Sequence, residues 1–259
     1  MGSQIYQNIA ENSLFSKFQK IDMHSHIGKR GAPFFIEADA DYLIHQMDTY
    51  NIEKTVICST SSEDHHEVID AFNRYPDKFI PVARIDCSQG RKCYDELEHL
   101  LRDEHFQGGK IQSLFDGYAA DAPCVDPAAE ICDAYNVPFY VHSGHEPFSL
   151  PWQIGLLAER HPKLKIVMLH MGHGHGIYVD AAIAMAKRYK NIWLETSGTS
   201  MSCQIKNAYL NVDPERIMFG LDTPFHEPSV EIQKVQACGI EEKGITDIFY
   251  NNAKKFLQS

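Results

Sequence analysis

The sequence predicts an α/β protein, a (β/α)8 TIM barrel in a single domain, and three observations carry that prediction. Eight apolar strand candidates recur along the chain, with helical stretches between them. The strands are continuous Val/Ile-rich runs, the pattern of a parallel sheet covered by helices on its faces. Finally, several of the runs close on a histidine or an aspartate just before a glycine or another turn-tolerant residue. In a barrel those strand ends converge on one face, where active sites lie.

Each element follows in order. Residues 1–19 read as an N-terminal arm or extra helix, and residues 20–259 as the barrel. The strands are "KIDMHSH" (20–26), "KTVICS" (54–59), "FIPVARID" (79–86), "GGKIQSLF" (108–115), "VPFYVHSG" (137–144), "KIVMLHMG" (165–172), "NIWLETSG" (191–198) and "RIMFGLD" (216–222). Helical periodicity, with apolar residues three to four apart, appears in "ADADYLIHQMDTYN", "EDHHEVIDAFNRYP", "RKCYDELEHLLRDE", "PAAEICDAYN", "PWQIGLLAERHP" and "VDAAIAMAKRYK". A last amphipathic helix is expected over "ITDIFYNNAKKFLQS". A doubly wound open sheet would place a GxGxxG after its first strand, and none is there.

Composition narrows the function. The formal charge of −11 argues against nucleic acid or an anionic membrane as partner. No apolar run approaches the ~20 residues that cross a bilayer, and the start of the chain lacks the pattern of a signal peptide. The seven cysteines are odd in number, contain no CxxC, and sit mostly beside apolar residues. Reduced thiols in a cytoplasmic protein fit that usage better than a disulfide framework.

The first strand poses the chemical question. Side chains alternate along a strand, so Asp22, His24 and His26 share one face, with Ile21 and Met23 on the other. Two imidazoles side by side can take two positions on one divalent ion. Alone, such a pair is more often two solvated histidines. The remaining strand ends add His142, His170 and Asp222. Four histidines and one aspartate at matching topological points indicate a divalent metal site.

The segments "IDMHSH", "GGKIQ", "VPFYVHSG", "HPKLKIVMLHMG", "KNIWLETSG", "PERIMFGLDTPF" and "NNAKKFL" together resemble the amidohydrolase superfamily. The similarity is strongest to its amidohydrolase-related branch, which includes decarboxylases of the aminocarboxymuconate-semialdehyde type. It runs from about Lys20 to Leu257. The resemblance implies that His24, His26, His142 and Asp222 hold one zinc or similar ion, with Mn2+ or Fe2+ as alternatives. It implies that His170 binds a second metal or polarises substrate or water. It also raises a carboxylated lysine at Lys110, bridging two metals. That role is usually missing from the branch in question, so one ion is expected. Relatives of this kind make a homo-oligomer compatible with the sequence.

The reaction expected first is hydrolysis of an amide, cyclic amide or lactone by metal-activated water, with Asp222 moving the proton and His170 stabilising the oxyanion. Non-oxidative decarboxylation of a small unsaturated or aromatic acid is the alternative. A metal-independent lactonase and a non-catalytic metal-binding barrel are further readings. Arg84, Lys110, Glu195 and His173 are candidate substrate contacts, each with a structural alternative. For Glu195 it is capping the next segment; for Lys110, ordering a loop. The loop after strand one, with Lys29, Arg30 and two phenylalanines, reads as a lid. His145, His175 and His226 read as loop histidines.

Overall fold

The structure, a computed structural model, describes residues 13–259. Residues 1–12 of the expected arm therefore lie outside the described residues, and its remainder opens with a single helical turn, Ser13–Ser16. Nine strands follow: β1 (Lys20–Arg30), β2 (Ile36–Ala38), β3 (Ile52–Ser59), β4 (Phe79–Ile85), β5 (Gly109–Ile111), β6 (Phe139–His142), β7 (Ile166–Leu169), β8 (Ile192–Glu195) and β9 (Ile217–Met218). They form one sheet in the order β2-β1-β3-β4-β5-β6-β7-β8-β9. All neighbours are parallel except β2, which pairs antiparallel with the end of β1.

Alternation sorts the strand residues into two layers. Val56 and Cys58, Ile80 and Val82, Val167 and Leu169, with Ile21, Met23, Tyr140 and Met218, form an inner apolar cluster. Ile57, Ala83, Val141 and Met168 belong to the larger cluster shared with the helices. The inward parity matters for function, because Arg84 continues the row of Ile80 and Val82, and His142 the row of Tyr140.

The helices form where the apolar period demands them. In Ala40–Tyr50 the buried residues are Ala40, Leu43, Met47 and Tyr50; the Asp39 side chain accepts the Tyr42 N–H, and Asn51 ends the helix at φ 56°. Arg91–Asp103 likewise buries Cys93, Leu97, Leu100 and Leu101. Two helices without a strong stripe, Ser202–Asn211 and Pro228–Gln236, escaped the sequence reading; the first buries only Ile205 and Ala208. The single helix expected at the end is divided into Glu242–Thr246, a wider π-helical turn at Asp247–Asn251, and Asn252–Leu257. Among the described residues, no helix is long and apolar enough to cross a membrane.

The expected closed barrel is observed as a curled sheet whose ends meet through an irregular seam. Regular pairing of the last strand stops at Met218, and a lone parallel bridge joins Ser25 to Thr223. Around it, Met23 N–H donates to Phe219 O (3.0 Å), Asp222 N–H to His24 O (2.6 Å) and His26 N–H to Thr223 O (2.7 Å). Asp22 pins the same seam. Its Oδ1 accepts the His24 and Leu221 N–H groups at 3.0 and 2.8 Å, and its Oδ2 the Ser25 hydroxyl at 2.6 Å. Although it shares the parity of His24 and His26, Asp22 serves the backbone. Burial raises its pKa to about 7, with Ser25 and the two backbone N–H groups opposing.

Candidate active site

The C-terminal ends of the strands surround a cavity of about 300 Å³, at the lower end of the roughly 300–1,000 Å³ common for small-molecule sites. His24, His26, His142, His170 and Asp222 line it together with Arg84 and His173. Residues up to 198 positions apart therefore meet at one place, as the barrel reading expected.

Two ligand candidates are aimed by unusual backbone. His170 and Asp222 leave their strands in the left-handed region, at φ 64° and 54°. Non-glycine residues rarely adopt it, and it recurs at functional sites. Just before Asp222, Gly220 is required because any side chain there would collide with Glu195.

Asp222 Oδ1 lies 3.2 Å from both His24 Nε2 and His26 Nε2. Bonds of about 2.0–2.1 Å to a shared tetrahedral ion place donors roughly 3.3–3.4 Å apart, so this spacing fits a divalent cation. Imidazole and carboxylate together suit zinc, manganese or iron. His24, His170 and Asp222 offer donor atoms within 4.8 Å of one another, and His24, His26 and Cys58 form a second such group. His142 belongs to neither. Its Nε2 lies 2.9 Å from His145 Nδ1, so its place in the implied ligand set requires the ring to turn from that partner.

Electrostatics follow from burial and neighbours. Burial pushes Asp222 up, but the His24 and His26 imidazoles prevail and hold it well below the usual carboxylate range. Burial and Lys110 pull His24 down, yet the Asp222 carboxylate lifts its pKa to about 9. Desolvation drives both His142 and His170 well below the ordinary imidazole value. His170 Nδ1 faces Ser197 O at 3.3 Å and Ser197 Oγ at 2.9 Å. A carbonyl can only accept, so Nδ1 carries the hydrogen and Nε2 keeps its lone pair.

The candidate substrate contacts fall into different places. Arg84 reaches the cavity but is bound to Asp116, Nη2 to Oδ1, at 2.7 Å. His173 lines the cavity, its ring 4.4 Å from that of His145. Lys110 does not line it. Fully buried, its Nζ approaches His24 Nε2, His26 Nε2 and Cys58 Sγ at 3.2, 3.3 and 3.4 Å. Glu195 also stays out of the cavity. Its carboxylate accepts the His170 and Ser197 N–H groups and the Ser197 hydroxyl, so it braces the His170 turn.

Other residues were missed or undervalued. Cys58 closes "KTVICS" just as the histidines close their strands, and the same strand-end argument would have found it. His145 and His226, taken as loop histidines, both line the cavity. His226 Nε2 lies 3.6 Å from Asp222 Oδ2 and its Nδ1 3.3 Å from Glu231 Oε1. Phe34, Phe115 and Phe225 form an aromatic wall, with ring centroids 5.7 Å (Phe34–Phe115) and 5.4 Å (Phe34–Phe225) apart. Phe115, expected in the strand 108–115, lies in the helical turn Ser113–Asp116 because the strand stops at Ile111, and Phe225 lies in a loop without periodicity.

Known proteins resemble this chain in sequence and fold. The family model described as amidohydrolase matches residues 21–258, and the chain belongs to that family. The chain is 23% identical over 237 residues to gamma-resorcylate decarboxylase of Rhizobium sp., covering 71% of each chain. It is 26% identical over 235 residues to decarboxylase orsB of Emericella nidulans, again covering 71% of each. Among solved structures, dihydroxybenzoic acid decarboxylase from Polaromonas sp., with bound manganese and the inhibitor 2-nitroresorcinol, superposes with a TM-score of 0.72 at 18% identity. That match covers 93% of this chain and 97% of the other. These findings correct the expectation of a hydrolase: the relatives are decarboxylases, so the alternative reading replaces hydrolysis. The donor groups of this site do not single out zinc.

Proposed function

We propose that this amidohydrolase-family chain is a metal-dependent lyase that removes carbon dioxide, without oxidation, from a small aromatic carboxylic acid. The reading includes a single-domain (β/α)8 barrel closed at the Ser25–Thr223 seam, and one divalent ion, Mn2+, Zn2+ or Fe2+. The observation that carries it is the pairing of an aromatic wall with buried imidazole and carboxylate donors in one cavity. A planar ring can lie against Phe34, Phe115 and Phe225 while its carboxylate points to the donors.

An ion held by His24, His26 and Asp222, with His170 or a rotated His142 available as a further ligand, would supply Lewis-acid polarisation of the carboxylate. The protein supplies the proton. The ring carbon bearing the carboxylate accepts a proton; the bond to the carboxylate then breaks, its electron pair returns to the ring, and carbon dioxide leaves. Asp222 rests ionised, held well below the usual carboxylate range, so its Oδ2 can serve only as a relay: a proton arriving from His226, 3.6 Å away, passes on to the ring carbon. His226 can resupply it: Glu231 hydrogen-bonds to the imidazole and raises its pKa against the pull of burial. Neutral His170 offers its Nε2 lone pair to the reacting group.

The test is turnover of hydroxybenzoates by metal-loaded protein in deuterium oxide. One carbon dioxide per arene is expected, with one deuterium at the former carboxyl carbon. Asp222→Asn should lower the rate about 10²–10⁴-fold. A product that keeps its carboxyl group, or gains an oxygen from solvent, would overturn the reading.

A further inference from the structure

Beside the metal-ligating candidates lies a buried sulfur that the reaction does not use. Cys58, at the end of β3, is the register partner of His26 in the parallel pairing of β1 and β3, and both residues are buried. Asp222 Oδ1 lies 3.2 Å from His26 Nε2, so that nitrogen faces the shared donor set. The other ring nitrogen, Nδ1, lies 3.5 Å from Cys58 Sγ. The same sulfur lies 3.6 Å from Ser25 O and accepts from Lys110 Nζ at 3.4 Å.

The tautomer of His26 defines what the sulfur does. A neutral imidazole that gives its Nε2 lone pair to an ion carries its hydrogen on Nδ1. Buried donors are normally paired, and the second ring nitrogen of a metal-binding histidine usually meets a carboxylate, a carbonyl or water. At His26 the group it meets is the Cys58 thiol. Lys110 supplies a separate observation. Its Nζ approaches three atoms, His24 Nε2, His26 Nε2 and Cys58 Sγ, at 3.2, 3.3 and 3.4 Å. An ion that takes both imidazole lone pairs leaves the sulfur as the remaining partner of the three.

We propose that Cys58 is a positioning residue of the metal site: its sulfur accepts the His26 Nδ1 hydrogen, which aims Nε2 at the ion, and it keeps Lys110 partnered once the ion is bound. The sulfur acts through these two side chains and is not itself a ligand. Direct ligation is the competing role, because Cys58 offers its sulfur within 4.8 Å of His24 and His26 donor atoms. Its contact with Nδ1, and not with the nitrogen that Asp222 meets, favours positioning. The inference rests on the ion of the proposed function and not on the reaction.

The experiment is titration of metal-free protein with Co2+, read by calorimetry and by absorption, on the wild type, Cys58→Ser and Cys58→Val. Serine keeps an accepting atom, whereas valine keeps only the bulk. Cys58→Val should weaken Co2+ binding about 10–100-fold, the usual effect of removing such a partner. Cys58→Ser should stay closer to the wild type. The reverse order, which a packing role would give, overturns the inference. The wild-type spectrum is a second test that needs no variant: bands of a site with nitrogen and oxygen ligands are expected. A sulfur-to-cobalt charge-transfer band would make Cys58 a ligand and overturn positioning. Failures of the two readings are distinguishable. A wild-type protein that binds no Co2+ overturns the metal reading and this inference with it, whereas equal affinity in all three proteins sinks this inference alone. The expected order of affinities, with no aromatic acid decarboxylated, removes the decarboxylase reading alone.

Discussion

The two ends of the sheet bury polar groups in opposite ways. At the end where the strands begin, cations and amides are saturated by backbone. Lys20 Nζ donates to Phe15 O, Phe18 O and Tyr50 O at 2.6–2.7 Å. Arg216 Nη1 donates to Ala186 O, Tyr189 O and Ile192 O, although its Nη2 lacks a partner. Asn191 and Asn252 bridge further carbonyls in the same manner. Where the strands end, Gln112 Oε1, Asp116 Oδ2 and Thr223 Oγ1 are buried without partners, and imidazoles crowd one another. The carbonyl-bound groups tie the strand starts together, whereas Gln112 leaves an unpartnered oxygen at the cavity wall.

The largest effect that could break this comparison is at the saturated end. Lys20→Met strands two buried carbonyls and one part-buried one, at roughly 1–3 kcal/mol each before relaxation. A loss of about 3–5 kcal/mol in urea unfolding is expected, and a change below 1 kcal/mol would mean that these bonds are not holding the structure. Next comes the pH dependence of metal affinity. Below its pKa of about 9 the free His24 imidazole is protonated, and binding an ion must expel that proton. Affinity should therefore rise about tenfold per pH unit from pH 7 toward 9 and then level off. Titration with Mn2+ across that range checks it, and a flat profile would show that metal binding displaces no proton from His24. The smallest effect sharpens the contrast: Gln112→Met removes a group the fold does not satisfy. Thermal unfolding should show stability unchanged within about 0.5 kcal/mol, or raised.

Much of this was legible beforehand because period is a local property. Alternation in "FIPVARID" or "VPFYVHSG" and the three-to-four residue stripe of "RKCYDELEHLLRDE" each arise within one element. Weak stripes hid the helices Ser202–Asn211 and Pro228–Gln236. The short antiparallel β2 was invisible too, for it exists only by pairing Ile36–Ala38 with the end of β1. The reaction was the larger miss, since one donor set serves both hydrolysis and decarboxylation, and it is the relatives that are decarboxylases.

The sequence by itself determined the order of strands and helices, and which side chains leave the strand ends toward a common face: His24, His26, His142, His170 and Asp222. Which atoms then meet was decided by the tertiary structure alone. The curl of the sheet puts Lys110 and Cys58 against His24 and His26, turns His142 to His145, gives Asp116 to Arg84 and sets Arg30 against Thr60 O. The physical reason is range. A backbone period sets direction along one element, whereas distances of about 3 Å between residues from different strands depend on how the whole sheet packs and closes.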